Sequence, residues 1–324
     1  MKKWSFLVVT VLAFVLVLAG CGASNNKVSG DKDKLKVVTT FYPMYDFTKN
    51  VAGDNASIEM LIDAGTEPHD YEPSAKDIAK IEAADVFVYN SEDMETWVPS
   101  VLKSLDSKKL TVIDASKGIE LVEGTEEEDH DHEHEEGHHH EHDPHVWLSP
   151  VLAEQEVTNI QNGLTKADKT NADTYKKNAE TNADTYKKNA ETYKEKLKTL
   201  DNKFKTAFEG AKQRDFVTQH AAFQYLAKEY DLHQVAIAGL SPDQEPSPAR
   251  LAELQKYVKE NNISTIYFEE VASPKVAETL ANETGAKLEV LSPIEGITDK
   301  EQKKGMDYIA YMEQNLQALQ KTIK

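Results

Sequence analysis

Residues 166–209 contain neither proline nor glycine. So long a stretch without a breaker reads as one long helix, and its lysine-rich, charged composition suits a strut. The fold must therefore place a rod in the middle of the chain and distribute the rest on either side of it. The stretch also holds an internal duplication. Residues 170–180 read TNADTYKKNAE, and residues 181–191 repeat them without change. Eleven residues make three turns of about 3.67 residues each, so one extra unit returns nearly to the same helix face. The expectation is a lengthened helix with Tyr175, Tyr186 and Tyr193 close in azimuth; the alternative is a unit that bulges out as a loop.

On both sides of the rod, short apolar runs alternate with helical stretches. Before it, strands are expected at 35–41, 58–62, 86–89 and 110–114, with helices at 44–51, 75–84, 99–105 and 151–162. Ser74 is placed to cap the helix that carries Ile78, Ile81 and Ala84 on one face. After it, strands are expected at 215–220, 234–238, 263–268 and 287–291. Helices are expected at 221–230, 248–261, 274–284 and 306–323. This alternation argues for two α/β lobes, each a mostly parallel sheet flanked by helices. The expected division is 35–165 for the first lobe, 166–209 for the rigid linker helix and 210–324 for the second lobe.

The N-terminus reads as targeting sequence. Lys2 and Lys3 precede an apolar run, 6–19, which is short for a bilayer span and fits a signal peptide over 1–20. The run ends in Leu18-Ala19-Gly20-Cys21, which resembles a bacterial lipobox, and Cys21 is the only cysteine of the chain. Cys21 is thus the expected lipidation site, which would hold the protein outside the cytoplasm on the cell membrane. A single cysteine also excludes an intrachain disulfide. Residues 21–34 are polar and read as a flexible tether.

The formal charge is −19, and residues 123–143 hold eleven acids with no lysine or arginine. Nucleic acid is excluded as a partner, because neutralising phosphates needs a clustered basic face. Cations are the natural partner. The acidic loop, 123–142, carries His130, His132, His134, His138, His139, His140 and His142. Such tracts bind metals through many alternative ligand sets, so these seven are candidates for a loose auxiliary metal site. The stretch His134-Glu135-Glu136-Gly137-His138 matches H-E-x-x-H only formally, because a metalloprotease helix needs an apolar back and this one has none.

The tract runs into Asp143-Pro144-His145-Val146-Trp147-Leu148-Ser149-Pro150, where one histidine passes from polar surroundings into an apolar wall. Three more candidates fall near the ends of expected strands, where open α/β sheets bind ligands. His69 lies in the loop after the second strand, His220 at the end of the first strand of the second half, and Glu295 after the last. Together His69, His145, His220 and Glu295 form an N3O set that suits zinc, whereas manganese favours more oxygen. His233 opens a strand, at the wrong end of the sheet, and stays outside the set. No G-x-S-x-G and no phosphate loop is present, so a binding protein is favoured over a zinc hydrolase or an adhesion protein.

Four features resemble the metal-specific solute-binding lipoproteins of bacterial ABC importers, in particular the zinc-uptake branch. They are residues 65–72 around Pro68-His69-Asp70-Tyr71, the histidine tract, residues 143–150, and Gln219-His220-Ala221-Ala222-Phe223. The resemblance implies two lobes joined by one long rigid helix, a zinc ion in the cleft, and His69, His145 and His220 as ligands. It also implies that the protein hands its ion to a membrane permease; a monomer without enzymatic activity is expected. The fourth ligand in such proteins is a carboxylate of the second lobe, an acid just before the first histidine, or a water. Glu295 is chosen, with Glu67 as the alternative. Manganese or iron receptors of the same family are the competing reading.

Overall fold

The computed structural model describes residues 34–105, 109–124, 142–175 and 179–324. The expected signal peptide, Cys21, the tether, and His130, His132, His134, His138, His139 and His140 lie outside the described residues.

Two sheets of four parallel strands share one topology. The first comprises β1 (Leu35–Thr39), β2 (Ala56–Met60), β3 (Val86–Tyr89) and β4 (Thr111–Asp114), in the order β2-β1-β3-β4. The second comprises β5 (Asp215–Thr218), β6 (His233–Ala236), β7 (Thr265–Phe268) and β8 (Lys287–Val290), in the order β6-β5-β7-β8. Central strand β3, Val86-Phe87-Val88-Tyr89, is buried at every position, as expected of a parallel strand covered on both faces. In each sheet the order reverses beside the first strand, and parallel sheets bind ligands at that reversal.

The first lobe carries α1 (Tyr42–Ala52), α2 (Ala75–Glu82) and α3 (Val98–Ser104). Ser74 caps α2 as expected, in a reciprocal box with Asp77. The second lobe carries α6 (Gln224–Glu229), α7 (Pro248–Glu260), α8 (Lys275–Thr284), α9 (Asp299–Lys303) and α10 (Tyr308–Leu319). Gly285, in the left-handed region at φ 77°, ends α8. The helix expected over 306–323 is preceded by a separate short one, α9, opened by a capping box between Thr298 and Glu301.

The middle of the chain differs from the expectation of a single helix over 166–209. Two helices lie there, α4 (Pro150–Tyr175) and α5 (Ala179–Phe208). Tyr186 Oη donates to Asp168 Oδ2 at 2.6 Å, and Lys194 Nζ lies 3.3 Å from Thr158 Oγ1. Later residues of α5 meet earlier residues of α4, so the two run antiparallel. Freedom from breakers permits a helix but does not forbid reversal. Two apolar stripes at helical spacing, Ala153-Val157-Ile160-Leu164-Ala167 and Tyr186-Ala190-Tyr193-Leu197-Leu200, are buried. Folding the pair together contributes about 1.5–3 kcal/mol for each large side chain withdrawn from water. Tyr175 therefore ends α4 instead of sharing a helix with Tyr186 and Tyr193.

Nor does α4 stop near 162. It continues through Gly163, where a Cβ would collide with the side chain of Ile113 on β4. That glycine permits close approach of helix and sheet and is not a terminator.

The long helix that joins the lobes is α5. Its first half packs on the first lobe, where Asn189 Nδ2 donates to Val51 O at 3.0 Å and Tyr193 Oη to Asp46 Oδ2 at 2.8 Å. Its second half packs on the other lobe, where the rings of Phe204 and Tyr230 stack with centroids 4.9 Å apart. The larger apolar core accordingly runs from Leu35 and Phe87 along α5 to Tyr308 and Leu319. A smaller core, including Val217, Ile266, Leu254 and Leu280, belongs to the second lobe alone.

The contacts of Tyr186 and Asn189 all come from the second copy of the duplicated unit. Deleting residues 170–180 leaves that copy whole and shortens the helical pair at its far end. The deletion variant is expected to fold with a melting temperature within a few degrees of the parent and with unchanged metal affinity. Calorimetry and metal titration check it; an unfolded product would show that the extra unit is required.

Candidate metal centre

The four candidate residues meet between the lobes. His69 stands in the loop between β2 and α2. His145 precedes a short 3-10 turn, Val146–Leu148, that leads into α4. His220 lies two residues beyond β5, and Glu295 follows β8. All four are buried, and one ligand atom from each lies within 4.8 Å of the others. His145 Nε2 is 3.2 Å from His69 Nε2 and 3.3 Å from His220 Nε2. Glu295 Oε1 is 3.5, 3.1 and 3.4 Å from the Nε2 atoms of His69, His145 and His220. Four ligands at zinc distances of about 2.0–2.1 Å, tetrahedrally arranged, are about 3.3–3.4 Å apart. The observed spacings straddle that edge length.

The hydrogen bonds behind the rings decide what these atoms present. His145 Nδ1 is 2.7 Å from Asp143 Oδ1, and His220 Nδ1 is 2.5 Å from Glu269 Oε1. A carboxylate only accepts, so each Nδ1 carries the proton, and the Nε2 of each neutral ring is a lone pair. Those lone pairs face each other and Glu295. Neither oxygen of Glu295 receives a hydrogen bond among the described residues. Buried electron-rich atoms at such distances repel unless positive charge lies among them.

The titration of the cluster expresses the same demand. Burial works against charge on His220, yet the carboxylates of Glu269 and Glu295 hold it well above the usual histidine range. Burial likewise opposes charge on His145, but Asp143 and Glu295 raise it. Glu295 is held well below the usual carboxylate range, because His220, His145 and His69 outweigh its burial. Burial pushes His69 down to about 4, against the pull of Glu295. These shifts express a cluster that favours positive charge among its Nε2 atoms.

Glu67, the alternative fourth donor, turns elsewhere. Its Oε1 accepts the His69 backbone N–H at 2.9 Å and stays 4.0 Å from His69 Nε2. Burial and the nearby Glu295 push it up to about 9. His233 is exposed at the start of β6, where its Nδ1 is 3.2 Å from Asp215. His142, at the end of the histidine tract, pairs with Glu123 in an antiparallel bridge, and its Nδ1 is 3.3 Å from Asp93.

Several bonds aim the site. Asn90 Nδ2, just beyond β3, donates to Pro144 O at 2.9 Å and so fixes the peptide before His145. Trp147 Nε1 crosses between lobes to Pro293 O at 2.8 Å, and Tyr308 Oη returns to Trp147 O at 2.6 Å. Ile294 adopts φ 61°, a strained value for a β-branched residue, and delivers the next residue, Glu295, to the histidines. Asp143, Glu269 and Asn90 were given no role from the sequence. For Glu269 and Asn90 the available signal was a polar residue immediately after a central parallel strand.

With this geometry in place, comparison with known proteins decides the family. The model of the family "Zinc-uptake complex component A periplasmic" matches residues 37–181 and 179–322. The chain belongs to this family. The two matched stretches meet at the junction of the two TNADTYKKNAE copies. Among relatives, the high-affinity zinc uptake system protein ZnuA of Bacillus subtilis is 54% identical over 99% of this chain and 98% of its own length. The zinc-binding lipoprotein AdcA of Streptococcus pneumoniae is 54% identical, and this chain spans 61% of its length. The Zn(II)-bound ZnuA-like domain of pneumococcal AdcA has a similar structure. The TM-score is 0.73 at 51% identity, covering 89% of this chain and 98% of that one. The metal-dependent lipoprotein YcdH of Bacillus subtilis is similar too, with TM-score 0.73 at 52% identity over 90% of this chain and 99% of that one. Family members are solute-binding transport proteins, and the two-lobed α/β architecture is theirs.

The Trp147–Pro293 bond ties the Glu295 loop to the first lobe. Trp147→Phe removes the donor and leaves a buried carbonyl unpaired. The expected loss is about 1–3 kcal/mol in denaturant unfolding, together with weaker metal binding. Unchanged stability and affinity would show that the bond does not hold the loop.

Proposed function

We propose that this chain is an extracytoplasmic zinc receptor that captures one ion with His69, His145, His220 and Glu295 and delivers it to an ABC importer. The observation that carries this reading is the set of donor spacings, 3.1–3.5 Å, around a buried point shared by both lobes. Nitrogen-rich donors suit zinc, and manganese or iron would call for more oxygen. Four protein donors leave no open position for the water a zinc hydrolase needs. The zinc bound by close relatives supports the same choice of ion. Both lobes supply two ligands, so opening them separates the set in half, which suits release to a permease.

The remaining parts follow from the sequence. Residues 1–20 serve as signal peptide, Cys21 takes the lipid, 21–34 is the tether, the first lobe runs from 35 through the end of α4, α5 joins the lobes, and the second lobe occupies 210–324. The histidine tract of loop 123–142 gathers zinc loosely near the site, and the protein acts as a monomer. No helix of the described residues is long and apolar enough to cross a membrane.

Zinc competition against a chromophoric chelator tests the site. The metal-free protein is expected to bind one zinc tightly and manganese far more weakly. His220→Ala should lose at least about 100-fold in zinc affinity, because it removes a ligand. Affinity should fall as pH drops, and the fall should begin above the ordinary histidine value of about 6.5, because the neighbouring carboxylates raise His220 and His145 and the ring nitrogens must be unprotonated to bind. Deleting 126–141 should remove only weak additional ions. A preference for manganese, or an intact tight site in His220→Ala, overturns the assignment.

The anchor has its own test. Cys21→Ala is expected to move the protein from the membrane fraction to the soluble fraction or medium. Retention in membranes would exclude the lipid.

A further inference from the structure

Two carboxylates behind the site belong to none of the roles described so far. Asp143 and Glu269 are fully buried, and each touches one of the candidate ligands from the side away from the ion. Resting on the zinc reading above, we propose that they are positioning residues. Each accepts the Nδ1–H of one imidazole and so fixes its tautomer and rotation, with Nε2 facing the metal.

The geometry is specific. Asp143 Oδ1 accepts both the backbone N–H of His145, at 2.9 Å, and its ring Nδ1–H, at 2.7 Å. One oxygen thus sets main chain and side chain of the same histidine. Asp143 itself is held by its N–H to Val122 O, at 2.8 Å, and by Tyr225 Oη, which donates to its carbonyl at 2.7 Å. Glu269 follows β7 directly, next to β5, whose end leads to His220. It sits at the reversal of strand order in the second sheet. Its backbone N–H donates to Gln219 Oε1 at 3.2 Å, and Gln219 Nε2 donates to Ser273 O at 3.0 Å.

A purely structural role accounts poorly for these acids. Their ion pairs among the described residues are with histidine, not with lysine or arginine. In each, the second oxygen (Asp143 Oδ2, Glu269 Oε2) is buried without a hydrogen bond. A buried carboxylate with one oxygen unsatisfied costs folding free energy. What the arrangement supplies is a strong acceptor behind a metal ligand, which locks the ring and raises its basicity toward zinc. The division between lobes matters as well. Asp143 and His145 lie in the first, Glu269 and His220 in the second, so each ring is oriented within its own lobe. Closing the lobes on an ion then orders little further.

The test uses the full chain in detergent, with zinc as the probe. Asp143→Ala and Glu269→Ala are each expected to weaken zinc about 10–100-fold. Long-range 15N NMR of the histidines should show Nδ1 protonated in the parent and a mixed or reversed tautomer at the ring facing the altered acid. The isosteric Asp143→Asn and Glu269→Gln keep an acceptor and the side-chain volume. They should retain the Nδ1–H tautomer and lose affinity severalfold, less than the alanine variants, and they carry the test if those fail to fold. Parent-like affinity in the alanine variants, or in the amides where alanine does not fold, overturns the proposal. So does weakened binding with an unchanged tautomer in the alanine variants, which marks a structural role. Failure of the unaltered protein to bind zinc is a separate result, and overturns the metal site itself.

Discussion

Three imidazole nitrogens and a carboxylate oxygen are brought nearly into contact inside the protein, an arrangement that calls for positive charge among them. Much of the structure can be understood as holding those four donors in place. Loops beyond the carboxyl ends of β2, β5 and β8 carry His69, His220 and Glu295 to one shared point. The fourth donor, His145, does not come from a strand end. It arrives on an irregular segment fixed by Asn90, Asp143 and Tyr225. A cation at the centre satisfies donors from both lobes at once, so binding and closure are coupled by the same electrostatics.

Such coupling requires that the lobes be connected firmly but not everywhere. Near the metal, directional hydrogen bonds join the lobes: Trp147 to Pro293, Tyr308 to Trp147, and Tyr225 with Asp143 and Val122. Away from it, α5 carries a continuous buried stripe from Tyr186 to Phe208 across both lobes. The apolar stripe is non-directional and tolerates small rotations, whereas the hydrogen bonds do not. Movement that exchanges the ion would therefore break the polar ties and pivot on the helix.

How much of this was legible in the chain depends on the distance over which the cause acts. Alternating β-branched runs and capped helices are local, and the strand at 86–89, the cap at Ser74 and the stop at Gly285 appear where local chemistry puts them. His69, His220 and Glu295 could be selected because strand ends of a parallel sheet form one rim, a rule of topology that reaches across the sequence, and His145 because of the apolar Val146-Trp147-Leu148 beside it. The reversal between α4 and α5 was not legible. Absence of proline and glycine says what a segment permits, and the decision to fold back comes from two apolar stripes meeting in space. Gly163 misleads for a related reason: its role is set by Ile113, on a strand fifty positions earlier, roughly, and not by its neighbours.

Glu269 shows where local reading fails most instructively. In sequence it is one acid of a Glu269-Glu270 pair after a strand, with nothing to separate it from its neighbour. In the fold, strand direction sends Glu269 inward to His220 and leaves Glu270 exposed. Alternation along an extended backbone is thus enough to give two identical side chains different chemistry. The consequence extends to the metal itself. A ligand is defined by what stands behind it as much as by its own atoms, since an imidazole without a partner at Nδ1 is free to present either nitrogen. Buried carboxylates that never touch the ion thus decide which nitrogen each ring offers it.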